Sequence, residues 1–170
     1  NVDRPGSVRS LAELEMIPGA AVAVAEINRK GFGVLVVTNQ ACVARGELSI
    51  EELGSIHAEI ERQVAESGGR IDGWYVCTHG DGDRCDCRKP APGLIFRAQR
   101  DHGFASTDTW MIGDAMRDIQ AAEAAGCRPG LVLTGKGRTF PCQLPSEAVF
   151  EDLSDFARSL RSSGENDPTR

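Results

Sequence analysis

A chain of 170 residues, 41% hydrophobic and 26% charged, has the size and make-up of one folded domain and excludes a disordered, fibrous or membrane-embedded protein. A formal net charge of -6 and a pI near 5.1 provide no basic field for nucleic acid, although local cations would still receive a small anion. No apolar run is long enough to span a bilayer and the N-terminus lacks a signal-peptide pattern, so a cytosolic location is expected.

The chain begins with Asn1 rather than methionine, which points to a processing point or a start partway through a longer reading frame. After the turn-prone Asp3-Arg4-Pro5-Gly6, Pro18 and Gly31 bracket a predicted helix over 20–30. The short apolar run over 33–38 shows no alternation, the pattern of a parallel strand covered on both faces. A polar loop is expected over 39–48. Ser49 and Glu52 form a capping box, and Leu53, Ile56, Ile60 and Val64 recur at helical spacing before Gly68-Gly69. A strand over 71–77 and an ordered Gly-, Asp-, Cys- and Pro-rich loop over 78–92 follow, then a helix from Pro92-Gly93 to Arg100. A strand over 109–112, an alanine-rich helix over 115–125 closed by Gly126, and a strand over 130–133 continue the alternation. One domain is expected over 1–161, with a frayed tail over 162–170. Such alternation predicts an open parallel sheet wrapped by helices, with ligands at the carboxyl ends of its strands.

Several residues at those strand ends carry chemistry. Thr38-Asn39-Gln40 would place a hydroxyl, two amides and backbone N–H groups at the ligand edge, a donor set for a phosphoryl group, although alone it reads as an ordinary turn. Arg88 and Lys89 precede a helix N-terminus; arginine suits bidentate phosphate contact and lysine acts as a point charge. Asp114 directly follows a strand, where a carboxylate either holds a magnesium ion with few protein ligands or caps a helix. Cys77, His79, Cys85 and Cys87 supply four ligands within one loop, enough for a closed structural zinc site that would pin the segment presenting Arg88 and Lys89. The remaining thiols, Cys42, Cys127 and Cys142, have no clustered partners and read as buried or idle.

Together, Val36-Val37-Thr38-Asn39-Gln40, Arg45-Gly46, Cys77-x-His79, the run from Cys85 to Gly93, and Gly113-Asp114-x-x-x-Asp118 resemble the D-glycero-D-manno-heptose-1,7-bisphosphate 7-phosphatase family. That family belongs to subfamily IIIA of the haloacid dehalogenase superfamily, and histidinol-phosphate phosphatases are close relatives. The resemblance spans residues 1 to 137. It implies a Rossmann-like, three-layer α/β fold with a parallel sheet, magnesium, and an aspartate nucleophile with a second aspartate as acid. By matching motifs, Thr38 and Lys89 would hold the transferring phosphoryl group and Asp114 would complete the magnesium shell. Asn39, Gln40, Arg45 and Arg88 would contact the substrate or its second phosphate, with Asp118 supporting the site from behind.

The family carries its two aspartates in an Asp-x-Asp-Gly motif at the end of a first strand. No apolar strand precedes Asp3-Arg4-Pro5-Gly6, and Pro5 stands where the second aspartate belongs. The first strand and the nucleophile are therefore expected to be missing from this chain, which alone would be inactive. Cys42 stands where the family usually has glycine, and Ala115 where lysine often follows. Two other readings use the same residues: a histidinol-phosphate phosphatase, against which the Arg45-Gly46 loop weighs, and a non-catalytic phosphosugar-binding remnant. A monomer acting on a small molecule, without nucleic-acid or membrane partners, is expected.

Overall fold

In the computed structural model, residues 8–139 and 144–162 are described. The Asp3-Arg4-Pro5-Gly6 turn, Cys142 and residues 163–170 of the expected tail lie outside them. Along the described residues run α1 (Ala20–Arg29), β1 (Leu35–Asn39), α2 (Ala41–Ala44), α3 (Ile50–Glu66) and β2 (Gly73–Cys77). They are followed by α4 (Gly93–His102), β3 (Trp110–Gly113), α5 (Met116–Ala125), β4 (Arg128–Val132), β5 (Val149–Phe150) and α6 (Leu153–Ser159). The expected polar loop over 39–48 thus holds the four-residue helix α2, too short to show a period. The two-residue strand β5 and the helix α6 extend the alternation beyond its predicted end.

Helix α3 shows how sequence becomes structure here. The Ser49 hydroxyl accepts the Glu52 N–H at 3.1 Å, and the Glu52 carboxylate accepts the Ser49 N–H at 2.8 Å, satisfying two of the otherwise unpaired donors of the first turn. Its apolar stripe buries Leu53, Ile56 and Val64, each side chain contributing about 1.5–3 kcal/mol relative to exposure.

The helices form two outer layers. On one face, α1 and α6 bury Ala23, Ile27, Phe156 and Ala157 against Val132 and Phe150, with Trp110 and Ile112 packed alongside. On that same side α3 covers Val76. On the other face, Leu94 and Ala98 of α4 pack on Tyr75 and Cys77, and Ile95 joins Ala121 and Ala122 of α5 over Val37 and Met111. A strand sandwiched in this way is apolar on both sides, which is why its sequence shows runs rather than alternation.

The expected single sheet is found as two pieces. β1 pairs in parallel with β2, from Leu35 opposite Gly73 to Asn39 opposite Cys77. β3, β4 and β5 form a second parallel sheet, with Trp110 opposite Arg128 and Leu131 opposite Val149. No described strand joins β1 to β3, and a cavity of about 1280 Å³ runs between them. Helices packed across both faces hold the halves together where strand pairing does not.

Candidate active site

Thr38 and Asn39 end β1 and Gln40 follows it, Asp114 follows β3, and the loop after β2 brings Lys89 between them. The sequence-selected residues from these three segments therefore meet at one edge, the carboxyl ends of β1 and β3. Lys89 makes the connection: its ammonium donates to the Val37 carbonyl at 2.8 Å and pairs with Asp118 Oδ1 at 2.8 Å. Both side chains are enclosed, at 11% and 6% exposure. The approach to Asp118 Oδ1 is too poorly aligned to count as a hydrogen bond, so the contact is an ion pair in a low-dielectric setting. Asp118 Oδ2 meanwhile accepts the Ala115 N–H at 3.1 Å and caps the start of α5.

Asn39 is spent on positioning Lys89. Its Nδ2 donates to the Lys89 carbonyl and its Oδ1 accepts the Lys89 N–H, both at 3.0 Å. The two bonds clamp the backbone of the lysine, a use of Asn39 that residue type alone did not reveal. Thr38 donates its hydroxyl to Gln40 Oε1 at 3.0 Å, and Gln40 reaches toward Cys42 Sγ at 3.9 Å. Gly93 allows the loop to close on α4: its N–H donates to the Asp86 carbonyl at 2.9 Å, and a side chain there would lie 2.4 Å from that oxygen.

The two arginines lie farther out. Arg45 forms a two-point pair with Glu47, at 2.6 and 3.0 Å, and this exposed contact raises the guanidinium pKa and lowers that of the carboxyl. Arg88 donates to the His79 carbonyl at 3.3 Å and pairs with Asp81.

Asp114 is held by the loop after β4. Its Oδ2 accepts the Lys136 N–H at 3.1 Å, and Gly135, at φ +61°, leaves room for that oxygen where a Cβ would stand 2.2 Å away. Gly135 and Lys136 were missed from sequence; the available signal was a Gly-Lys-Gly stretch immediately after a buried strand. A single hard carboxylate with one oxygen tied to backbone suits magnesium, which retains much of its water.

Cys77, His79, Cys85 and Cys87 converge, with ligand atoms all within 4.8 Å of one another. His79 Nδ1 lies 3.6 Å from Cys77 Sγ and 3.2 Å from Cys87 Sγ, while Cys77 Sγ lies 3.8 Å from Cys85 and 3.3 Å from Cys87. A tetrahedral zinc with ordinary bond lengths sets ligand separations of about 3.6–3.8 Å; the donor set suits that ion, and two of these four separations lie in that range while the other two are shorter. Burial and the neighbouring Cys77 and Cys85 push the Cys87 thiol up to about 12. Burial also raises Cys85, but hydrogen bonds from Cys87 and from the Arg88 and Cys87 backbone outweigh it and leave this thiol low. A divalent cation would remove the conflict by stabilising all the thiolates.

A family model described as HAD-hydrolase-like matches residues 86–156. The chain is 39% identical over 165 residues to the D-glycero-beta-D-manno-heptose-1,7-bisphosphate 7-phosphatase of Neisseria meningitidis serogroup A, covering 94% of this chain and 88% of that protein. It is 38% identical to the protein of the same name from Pseudomonas aeruginosa, covering 94% and 91%. Among solved structures, the D,D-heptose 1,7-bisphosphate phosphatase of Bordetella bronchiseptica, complexed with magnesium and phosphate, superposes with a TM-score of 0.86 at 36% identity. That match covers 92% of this chain and 90% of the other.

Proposed function

The chain belongs to the D-glycero-beta-D-manno-heptose-1,7-bisphosphate 7-phosphatase family of haloacid-dehalogenase-like hydrolases, and from that premise we propose that its site removes the 7-phosphate of the heptose bisphosphate. The observation that carries this reading is the Lys89 arrangement. One buried cation is fixed at the edge by Asn39, donates to the Val37 carbonyl one residue before Thr38, and is tied to Asp118 after β3.

In this reading Thr38 donates its hydroxyl, and Lys89 its charge, to the phosphoryl oxygens, so the group is held before reaction rather than organised during it. Gln40, Arg45 and Arg88 contact the rest of the substrate or its second phosphate. Asp114 would hold magnesium, which when bound neutralises phosphoryl charge. Cys77, His79, Cys85 and Cys87 would hold zinc as a structural pin. Asp118 stays behind Lys89 and keeps its ammonium in place.

Neither carboxylate at this edge is assigned as nucleophile: Asp118 is paired and Asp114 belongs to the cation. Attack through an aspartyl-phosphate, with a second aspartate protonating the leaving oxygen, requires a carboxylate pair carried by a strand outside residues 8–139 and 144–162. We read residues 1–161 as one domain and the protein as a cytosolic monomer acting on a small sugar bisphosphate; no described helix is long and apolar enough to cross a membrane.

The test assays this chain beside one extended at its N-terminus by an apolar strand ending in Asp-x-Asp-Gly, with magnesium, on heptose 1,7-bisphosphate and histidinol phosphate. The extended form should hydrolyse the heptose substrate preferentially, several orders of magnitude faster than the shorter one. Equal turnover by both would place a nucleophile within these 170 residues, and a preference for histidinol phosphate would replace the heptose reading.

A further inference from the structure

We propose that Glu47 and Asp81 are intramolecular competitors for the phosphate that the reaction leaves untouched: Glu47 occupies Arg45 and Asp81 occupies Arg88 until that group arrives, and both reclaim the arginines when the product leaves. The identity of the anion rests on the phosphatase reading; the competition for the two guanidinium groups rests on the geometry.

Both pairs are placed by the turns that end their elements. Helix α2 starts directly after Gln40, and Arg45 follows its last residue. Glu47 N–H donates to the Cys42 carbonyl at 2.9 Å and Gly46 N–H to the Val43 carbonyl at 3.0 Å, the paired bonds of a Schellman ending. Gly46 supplies the left-handed residue of that ending, at φ +69°. The chain thereby reverses and sets Glu47 beside Arg45, whose Nε and Nη2 donate to its two carboxylate oxygens at 2.6 and 3.0 Å. This two-point contact is also the arrangement in which arginine takes a phosphate. The second pair belongs to the loop after β2. The Asp83 carboxylate accepts the Gly80 N–H at 2.7 Å and folds residues 80–83 into a turn, from which Asp81 reaches Arg88. Arg88 also donates to the His79 carbonyl at 3.3 Å, which keeps its head in place when Asp81 turns away.

The two pairs adjoin. A Cβ on Gly80 would stand 3.7 Å from the Ala44 side chain, so the turn carrying Asp81 lies against the end of α2. Glu47, by its hydrogen bonds, and then Asp81, by its charge, both raise the Arg45 guanidinium. Arg88 directly precedes Lys89, the cation fixed at the site edge. Two cations and two anions therefore make a neutral group beside the phosphoryl site, and a phosphate dianion gains little from it until the carboxylates move. Water can receive them: the Asp81 side chain is 77% exposed and that of Glu47 37%, and exposed ion pairs hold weakly. Such weakness has a use. The phosphate that is not removed is present in substrate and product alike, so a tight grip on it would favour both equally and slow product departure. Carboxylates carried by the chain itself limit that grip.

The test titrates the full chain with inorganic phosphate at constant ionic strength and follows the Nε–H resonances of Arg45 and Arg88 by NMR. Glu47→Gln should tighten phosphate at Arg45, and Asp81→Asn at Arg88, each about two- to five-fold, the range that an exposed ion pair spans. Glu51→Gln removes the same charge from the first turn of α3 and should change neither. Unchanged or weaker phosphate binding in the first two variants would overturn the competition, as would equal tightening by Glu51→Gln, which would reduce the effect to net charge. A lower urea midpoint with phosphate affinity unmoved would also overturn it, leaving the pairs as a clasp between α2 and the loop. The same titration with heptose 1-phosphate, the product of the proposed reaction, separates the two readings. If inorganic phosphate tightens as expected while heptose 1-phosphate binds no better than inorganic phosphate to any form, the heptose reading fails and the competition stands.

Discussion

The half-sheet of β1 and β2 and the half-sheet of β3, β4 and β5 deliver polar side chains to the same edge by opposite routes. In the first, Lys89 is brought in by a loop that also carries His79, Cys85 and Cys87, and is clamped by Asn39 from 50 residues away. In the second, Asp114 leaves β3 directly and is held by the backbone of the next strand's loop, while Asp118 caps its own helix. A cation delivered by a loop requires a remote clamp to hold it at the edge. A carboxylate for a metal needs only a strand end. The first half should accordingly fail through perturbations distant from the edge, and the second only through local ones.

The largest effect is expected from removing the zinc proposed for the Cys77-His79-Cys85-Cys87 cluster. Protein purified without added metal should contain about one zinc per chain, with binding worth about 10–16 kcal/mol in comparable small sites. Chelation should loosen residues 78–92, read as faster hydrogen exchange there and unchanged exchange in α5. Because Cys87 without a cation keeps its proton up to about 12, protons compete with zinc, and occupancy should fall as pH falls. Chelation that disturbs both halves equally would erase the proposed asymmetry.

Lys89→Ala comes next. It strands the buried Asp118 carboxylate, a loss of about 3–5 kcal/mol measurable as a lower urea midpoint, together with loss of phosphate binding. Lys89→Met combined with Asp118→Asn should recover most of the stability, since the cap on Ala115 survives, but none of the phosphate affinity. If stability and affinity return together, the ion pair is not what links them.

Asn39→Ala removes two hydrogen bonds and should cost about 1–3 kcal/mol and weaken phosphate binding through a displaced Lys89, although the variant residue is itself no ligand in this account. Gly135→Ala forces a side chain into left-handed backbone, at about 1–2 kcal/mol, and crowds Asp114. Titration should show weaker magnesium binding with zinc content unchanged. Smallest is Arg45→Ala: its pair with Glu47 is exposed, so the thermal midpoint should not move, while in the N-terminally extended form a rise in KM at constant kcat would place Arg45 on the substrate.

How much of this was legible in the sequence follows the same division. Helix α3 could be read from Ser49, Glu52 and an apolar period because its determinants lie within a few residues of one another. The zinc-type cluster could be read because all four ligands fall between residues 77 and 87. Asp114 stood out by directly following a strand. The Asn39 clamp was invisible, since nothing in a Thr-Asn-Gln turn specifies a partner 50 positions later. The interrupted sheet could be anticipated only through a family resemblance, because an apolar run gives no sign of which neighbour it lacks. β5 escaped because two residues carry no period at all.

The two tryptophans divide between the halves. Trp74 of β2 stacks on His57 at 3.9 Å between ring centroids and donates its indole N–H to Glu61, whereas Trp110 of β3 sits edge-on to Phe150 and Phe156. Each half thus carries its own fluorophore in a distinct environment. Single-tryptophan variants would let unfolding be followed in either half-sheet without a label, so coincident emission transitions would measure how far two sheets joined mainly through helices melt as one cooperative unit.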